Sequence, residues 1–81
     1  MKILYFARLR ETFGMAQEQL DQPVADVAAL LEVLRQRGGV FAEELAAGRN
    51  YRVAVNQLMA SPSTPLGADD EVAIFPPVTG G

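Results

Sequence analysis

Apolar and polar residues alternate from Lys2 to Arg8, with Ile3, Tyr5 and Ala7 on one side and Lys2, Leu4, Phe6 and Arg8 on the other. A period of two with β-branched and aromatic residues predicts a strand. Gly14 predicts a turn, and the weaker alternation of Met15 to Leu20, polar at Gln17 and Gln19, predicts an edge strand returning in a hairpin. The period then changes. After Pro23, residues Val27, Leu30, Leu31 and Leu34 recur at helical spacing, with Asp26 in the first turn and Arg35 and Arg37 in the last, the signs a helix dipole favours. Gly38 suits a left-handed stop to this main helix. Val40 to Gly48 predicts a short second helix, with Phe41 and Leu45 on one side and Gly48 as terminator. Alternation resumes at Tyr51 to Asn56, Asn56 and Gln57 suit a tight turn into a short strand at Leu58 to Ala60, and a loop over Pro62 to Pro65 leads to a last strand at Glu71 to Phe75.

These elements run β-β-α-(α)-β-β-β, an α+β pattern. A mixed sheet of about five strands packed on one amphipathic helix buries both apolar faces compactly, so a β-grasp domain is expected. Its inward set is Ile3, Tyr5, Val27, Leu30, Leu31, Leu34, Val53, Val55, Val72 and Ile74. The same parity sends Leu4, Phe6 and Phe75 outward, with Leu58 or Met59 near them. Contiguous, they would form an interaction patch; the alternatives are that a loop or the second helix covers them, or that one of them simply stands exposed, as single apolar residues commonly do.

Composition narrows the function. At 81 residues the chain suits one domain, and 49% hydrophobic with 21% charged residues is a globular balance. With no cysteine and no histidine, the chain lacks a thiol nucleophile, the usual neutral-pH base and the commonest metal ligands. A net charge of -3 argues against nucleic acid as a partner. The apolar opening meets Arg8 and Arg10 too soon for a signal segment or a membrane span, so a soluble, cytoplasmic protein is expected. Asp69, Asp70 and Glu71 lack the ligand spacing of a calcium loop and read as an acidic turn. Arg8, Arg10, Arg49 and Arg52 read as solvated rim charges; no glycine-rich loop leads into a helix to make them a phosphate site. No bound cofactor or metal is expected.

The ending Phe-Pro-Pro-Val-Thr-Gly-Gly carries the most specific signal. Pro76 and Pro77 cannot donate to a sheet ladder, so the domain is expected over residues 1–75 and an extended arm over 76–81. At roughly 3.3 Å per residue the arm spans about 20 Å, enough to bring its terminus into a partner's pocket. Gly80 and Gly81 have no side chains to obstruct a narrow channel. The chemistry would then reside on the terminal carboxylate, a poor acyl donor until ATP converts it to an acyl-adenylate.

With that ending, the Val55-Asn56-Gln57 turn, the Asp70 to Phe75 segment and the opening Tyr5 to Glu11, the chain resembles the small subunits of molybdopterin synthase, the MoaD-type sulfur carriers. The likeness spans the whole chain. One position departs: Asp69 stands just before Asp-Glu-Val where members commonly have glycine, and the nearby glycine is Gly67.

The resemblance implies a ubiquitin-like β-grasp fold and a terminal Gly81 that an E1-like enzyme adenylates with ATP and a sulfurtransferase system converts to a thiocarboxylate. It implies that Pro76, Pro77, Val78, Thr79 and Gly80 insert with Gly81 into the large synthase subunit. There the sulfur builds the dithiolene of molybdopterin from cyclic pyranopterin monophosphate, usually with two carriers flanking a large-subunit dimer. It further implies a hydrophobic partner face that Phe6 and Phe75 would fit, with Met59 beside them. The chain would not be an enzyme by itself. A β-grasp carrier for thiamin thiazole or tRNA thiolation, a ubiquitin-like protein modifier and a plain interaction module remain the alternatives.

Overall fold

The first and last strands of the chain lie side by side and parallel at the heart of the sheet. The computed structural model describes residues 1–46 and 49–76. Its elements are β1 (Lys2–Tyr5), α1 (Ala7–Phe13), β2 (Gln17–Gln19), α2 (Val27–Arg35), α3 (Gly39–Glu44), β3 (Arg52–Val55), β4 (Leu58–Met59) and β5 (Glu71–Phe75). The five strands form one sheet in the order β2-β1-β5-β3-β4. Only β1 and β5 pair in parallel; the remaining neighbours are antiparallel. Because Tyr5 aligns with Ile74, Phe6 and Phe75 leave the sheet at the same edge.

All ten residues expected to point inward are buried, and Met1, Leu9 and Leu45 join them. The sheet supplies Ile3, Tyr5, Val53, Val55, Val72 and Ile74, and α2 answers with Val27, Leu30, Leu31 and Leu34. A mixed sheet closed over one amphipathic helix is the β-grasp arrangement expected. The Asn56 and Gln57 turn is also present: both residues have positive φ, 51° and 72°, which matches the twist of a two-residue hairpin joining Val55 to Leu58.

Several expectations are corrected. The first strand ends at Tyr5, not Arg8. Ala7 has φ of 52°, a left-handed conformation that turns the chain out of the sheet, and it is exposed rather than inward. The chain then enters α1, which drives Leu9 into the core and ends where Gly14, at φ of 74°, donates its N–H to the Arg10 carbonyl over 3.0 Å. The element order therefore gains a helix between β1 and β2, which pair antiparallel but are not a simple hairpin. Asp26 lies outside the first turn as the N-cap of α2, accepting the Ala29 N–H at 2.8 Å. Nor does Gly38 stop α2: Gln36 caps it in right-handed geometry, and Gly38, at φ of 77°, opens α3 instead. The fourth strand is shorter than expected, Leu58–Met59. Gly48, the expected terminator, lies outside the described residues.

A polar and aromatic cluster locks the β2 edge. The buried Tyr5 hydroxyl donates to Glu18 Oε2 at 2.6 Å, while Arg37 donates to both oxygens of the same carboxylate at 2.8 Å. The guanidinium of Arg37 also lies 4.8 Å from the centroid of Phe41, whose ring stacks on Phe13 at 4.1 Å. One carboxylate thus ties β1 and β2 to the chain that follows α2. Desolvation opposes the charge on Glu18, but the hydrogen bonds from Arg37 and Tyr5 outweigh it and hold the carboxyl below its ordinary value. Burial and the neighbouring carboxylate push the Tyr5 hydroxyl well above the usual tyrosine range.

Candidate functional site

The sheet edge from which β1 and β5 both depart gathers the outward aromatics. Phe6 is 45% exposed, and its ring meets Phe75 edge-on with centroids 6.2 Å apart. The Phe6 N–H donates to the Ile74 carbonyl at 3.2 Å, so the backbone that carries one ring is tied to the strand that carries the other. Phe75 is half-buried and Pro76 follows it directly.

Strand register shows which residues share the outer face. Gln17, Leu4, Ala73, Ala54 and Met59 lie in one row across all five strands, and Phe75 opposite Arg52 belongs to the next. Ala54 and Ala73 form a low floor between larger Leu4 and Met59. Ala54 is buried although its register places it on the face away from α2. Met59 is 60% exposed on this face. Leu58 is 74% exposed but pairs with Val55, in the row of Val72 and Ile3, so it belongs to the core side at the sheet margin. Of the two residues expected near the aromatics, Met59 shares their face and Leu58 does not.

Charge is unevenly distributed around this edge. Arg8 of α1 and Arg49 before β3 share the Oε1 of Glu44, at 2.9 and 3.2 Å, and both guanidiniums stay half-exposed. Arg52 is exposed across from Phe75 and makes no ion pair among the described residues. An open groove of about 620 Å³ runs beside it, bounded by Arg49, Tyr51, Met59 and the α2 residues Val27 and Leu31. At the other end of β5, Asp70 accepts hydrogen bonds from Asn56 Nδ2 at 3.0 Å and the Gly67 N–H at 2.7 Å. The Asn56 bond, then the Gly67 bond, lowers the Asp70 carboxyl below its ordinary range. This turn is hydrogen-bonded as a structural element, and no cluster of three or more potential metal ligands occurs among the described residues.

The expected tail residues Pro77, Val78, Thr79, Gly80 and Gly81 lie outside the described residues; Pro76 is the last within them. What the described body offers chemically is a platform, an aromatic pair next to Pro76 with an apolar row beside it and cations around it. Sequence reading did not find the alanine floor, since two alanines carry no signal until strand register aligns them, nor the grouping of Arg8 with Arg49, which requires α1.

Comparison with known proteins agrees with this architecture. The ThiS family model matches residues 3–81. A molybdopterin synthase sulfur carrier subunit of Haemophilus influenzae is 38% identical over 81 residues, covering 100% of this chain and 99% of its relative. Among solved structures, one named molybdopterin converting factor, subunit 1, from Pyrococcus furiosus superposes with a TM-score of 0.76 at 30% identity, covering 95% of each chain. SAMP1 from Haloferax volcanii gives 0.69 at 31%, covering 100% of this chain and 98% of the other. With a family model matched almost from end to end and a full-length relative at this identity, the chain belongs to the ThiS family, among β-grasp proteins that include the molybdopterin synthase sulfur carrier subunits.

Proposed function

We propose that this protein is a sulfur carrier in molybdenum cofactor biosynthesis, acting through the carboxylate of Gly81. The observation that carries the reading is the match to a named sulfur carrier subunit along 100% of this chain. The carboxylate attacks the α-phosphorus of ATP on an E1-like enzyme and pyrophosphate leaves. Hydrosulfide supplied by a sulfurtransferase system then attacks the acyl carbon and displaces AMP, leaving the sulfur in a terminal thiocarboxylate. Residues 76–81 carry that sulfur into the large subunit of molybdopterin synthase, which uses it to build the dithiolene.

The division of labour follows from composition. A chain without cysteine or histidine has little to contribute as acid, base or thiol nucleophile, and without a thiol it cannot trap its own activated terminus as a thioester. Its contribution is docking and delivery. Phe6, Phe75 and Met59 form the partner face in this reading, and Pro76 stiffens the exit so that less entropy is lost when the tail enters its pocket. Deleting Gly81 tests the assignment: molybdopterin formation in a reconstituted system is expected to vanish while the thermal transition of the protein is unchanged. Undiminished product would refute it.

A protein-modifier role is the second reading, supported by the likeness to a structure named SAMP1. It predicts isopeptide conjugates on target lysines in cells. The sulfur carrier predicts a terminus that is free or thiolated.

A further inference from the structure

The tail base is cationic although the protein as a whole is not. The chain carries a net charge of -3, with seven cationic side chains against ten acidic ones. Three of those seven, Arg8, Arg49 and Arg52, lie at the edge where Phe75 passes into Pro76. Arg52 sits opposite Phe75 in the strand ladder, Arg8 follows Phe6 by two residues, and Arg49 joins Arg8 through Glu44. The single carboxylate of Glu44 neutralises only one of the two guanidiniums that share it, so the trio keeps an excess of positive charge at its exposed tips. The acidic turn at Asp69, Asp70 and Glu71 occupies the far end of β5, about 16 Å away at roughly 3.3 Å per residue.

Each arginine is fixed differently. Arg8 and Arg49 are held by Glu44, whose side chain is largely buried, and they point outward as a pair. Arg52 has no such anchor among the described residues and stands beside the Phe75 ring on the outer face. An exposed guanidinium without an internal partner, next to an aromatic pair, contributes nothing evident to the stability of this domain. It is well placed to pair with a carboxylate on a docked surface.

We propose that Arg8, Arg49 and Arg52 form a cationic collar around the root of the tail, and that it docks on a carboxylate-bearing rim around the cleft of the large synthase subunit that receives residues 76–81. The proposal rests on the sulfur-carrier reading and adds to it the charge of the receiving surface and Arg52 as a specificity-determining residue. The collar orients the carrier during approach, so that its positive end, with Pro76 at its centre, faces the cleft while the acidic turn faces away. Its effect falls chiefly on association rate, and salt weakens it.

Arg52→Gln and Lys2→Gln provide the test, because each removes one positive charge while Lys2 lies at the opposite end of β1 beside Glu71. Binding of the full chain to the large subunit is followed by stopped-flow at low and physiological salt. Arg52→Gln is expected to slow association about threefold at low salt, Arg52→Glu about tenfold, and Lys2→Gln to leave the rate within about 1.5-fold. Unmodified protein is expected to associate more slowly as salt rises, and Arg52→Glu to lose most of that dependence. Equal slowing by Arg52→Gln and Lys2→Gln would overturn the collar in favour of net charge alone, and unchanged rates for every Arg52 variant would overturn it outright. If the unmodified chain fails to bind active large subunit at all, the partner assignment falls and the collar with it; binding that ignores Arg52 removes the collar alone.

Discussion

Replacing Tyr5 with Phe deletes a single oxygen from the β2-edge cluster, and the structure sets the size of the effect. The Tyr5 side chain is 1% exposed and its hydroxyl donates to the Glu18 carboxylate at 2.6 Å. A hydrogen bond to a charged group is worth about 1.5–3 kcal/mol, and the lower end applies because Arg37 continues to donate to both oxygens of Glu18. A loss of about 1.5 kcal/mol lowers Tm by roughly 6–12 °C in a domain of this size. The pH dependence is more diagnostic. The folded state holds the Tyr5 hydroxyl protonated while the unfolded chain ionises near its ordinary value of 10.0. That stability is fully present below pH 10 and lost as pH rises further. Glu18 has the opposite sign: its lowered carboxyl stabilises the fold above the ordinary value of 4.5, and that stability is lost as pH falls through the folded value. The Tm difference between the protein and Tyr5→Phe is therefore a plateau, about constant from pH 6 to 9 and narrowing above about pH 10 and below about pH 4. Calorimetric scans across pH measure it directly. A variant as stable as the parent at pH 7, or a difference that persists undiminished to pH 11, would refute the reasoning.

Two further substitutions address the platform and the main helix. Phe75→Ala, which removes the ring that meets Phe6, is expected to weaken binding to the large subunit by more than about 1 kcal/mol in a calorimetric titration; unchanged affinity would remove Phe75 from the partner face. Asp26→Ala takes the N-cap from α2 and is expected to cost about 1 kcal/mol in chemical denaturation with binding unaffected.

The elements legible from the chain were those with enough residues to establish a period. Leu30, Leu31 and Leu34 announce α2 by recurring at helical spacing, and Val72 with Ile74 announces β5 by its period of two. The junction after Tyr5 was not legible for a physical reason: Ala7 and Arg8 satisfy both the alternation of a strand and the first turn of a helix. The deciding feature, a left-handed φ at Ala7, leaves no mark in composition. Leu9 and Phe13, four apart and followed by Gly14, were the available sign of α1. On the outer sheet face, parity alone sent Leu4, Phe6 and Phe75 outward, but it could not separate Leu58 from Met59. Adjacent residues on a strand always face opposite ways, and only the pairing of Leu58 with Val55 decides which of them joins the aromatics. Arg52 was read as an ordinary rim charge because its position opposite Phe75 depends on the β3 and β5 register. The chemistry proposed for the tail is the reverse case, since it is read from residue identity rather than from packing.

The most direct test of the central claim is the intact mass of the protein after incubation with ATP, a cognate E1-like enzyme and a sulfur source. Replacement of one oxygen by sulfur, a gain of about 16 Da localised to Gly81 by fragmentation, is the predicted result. An unchanged mass in the presence of partners shown to be active on another carrier would contradict the account.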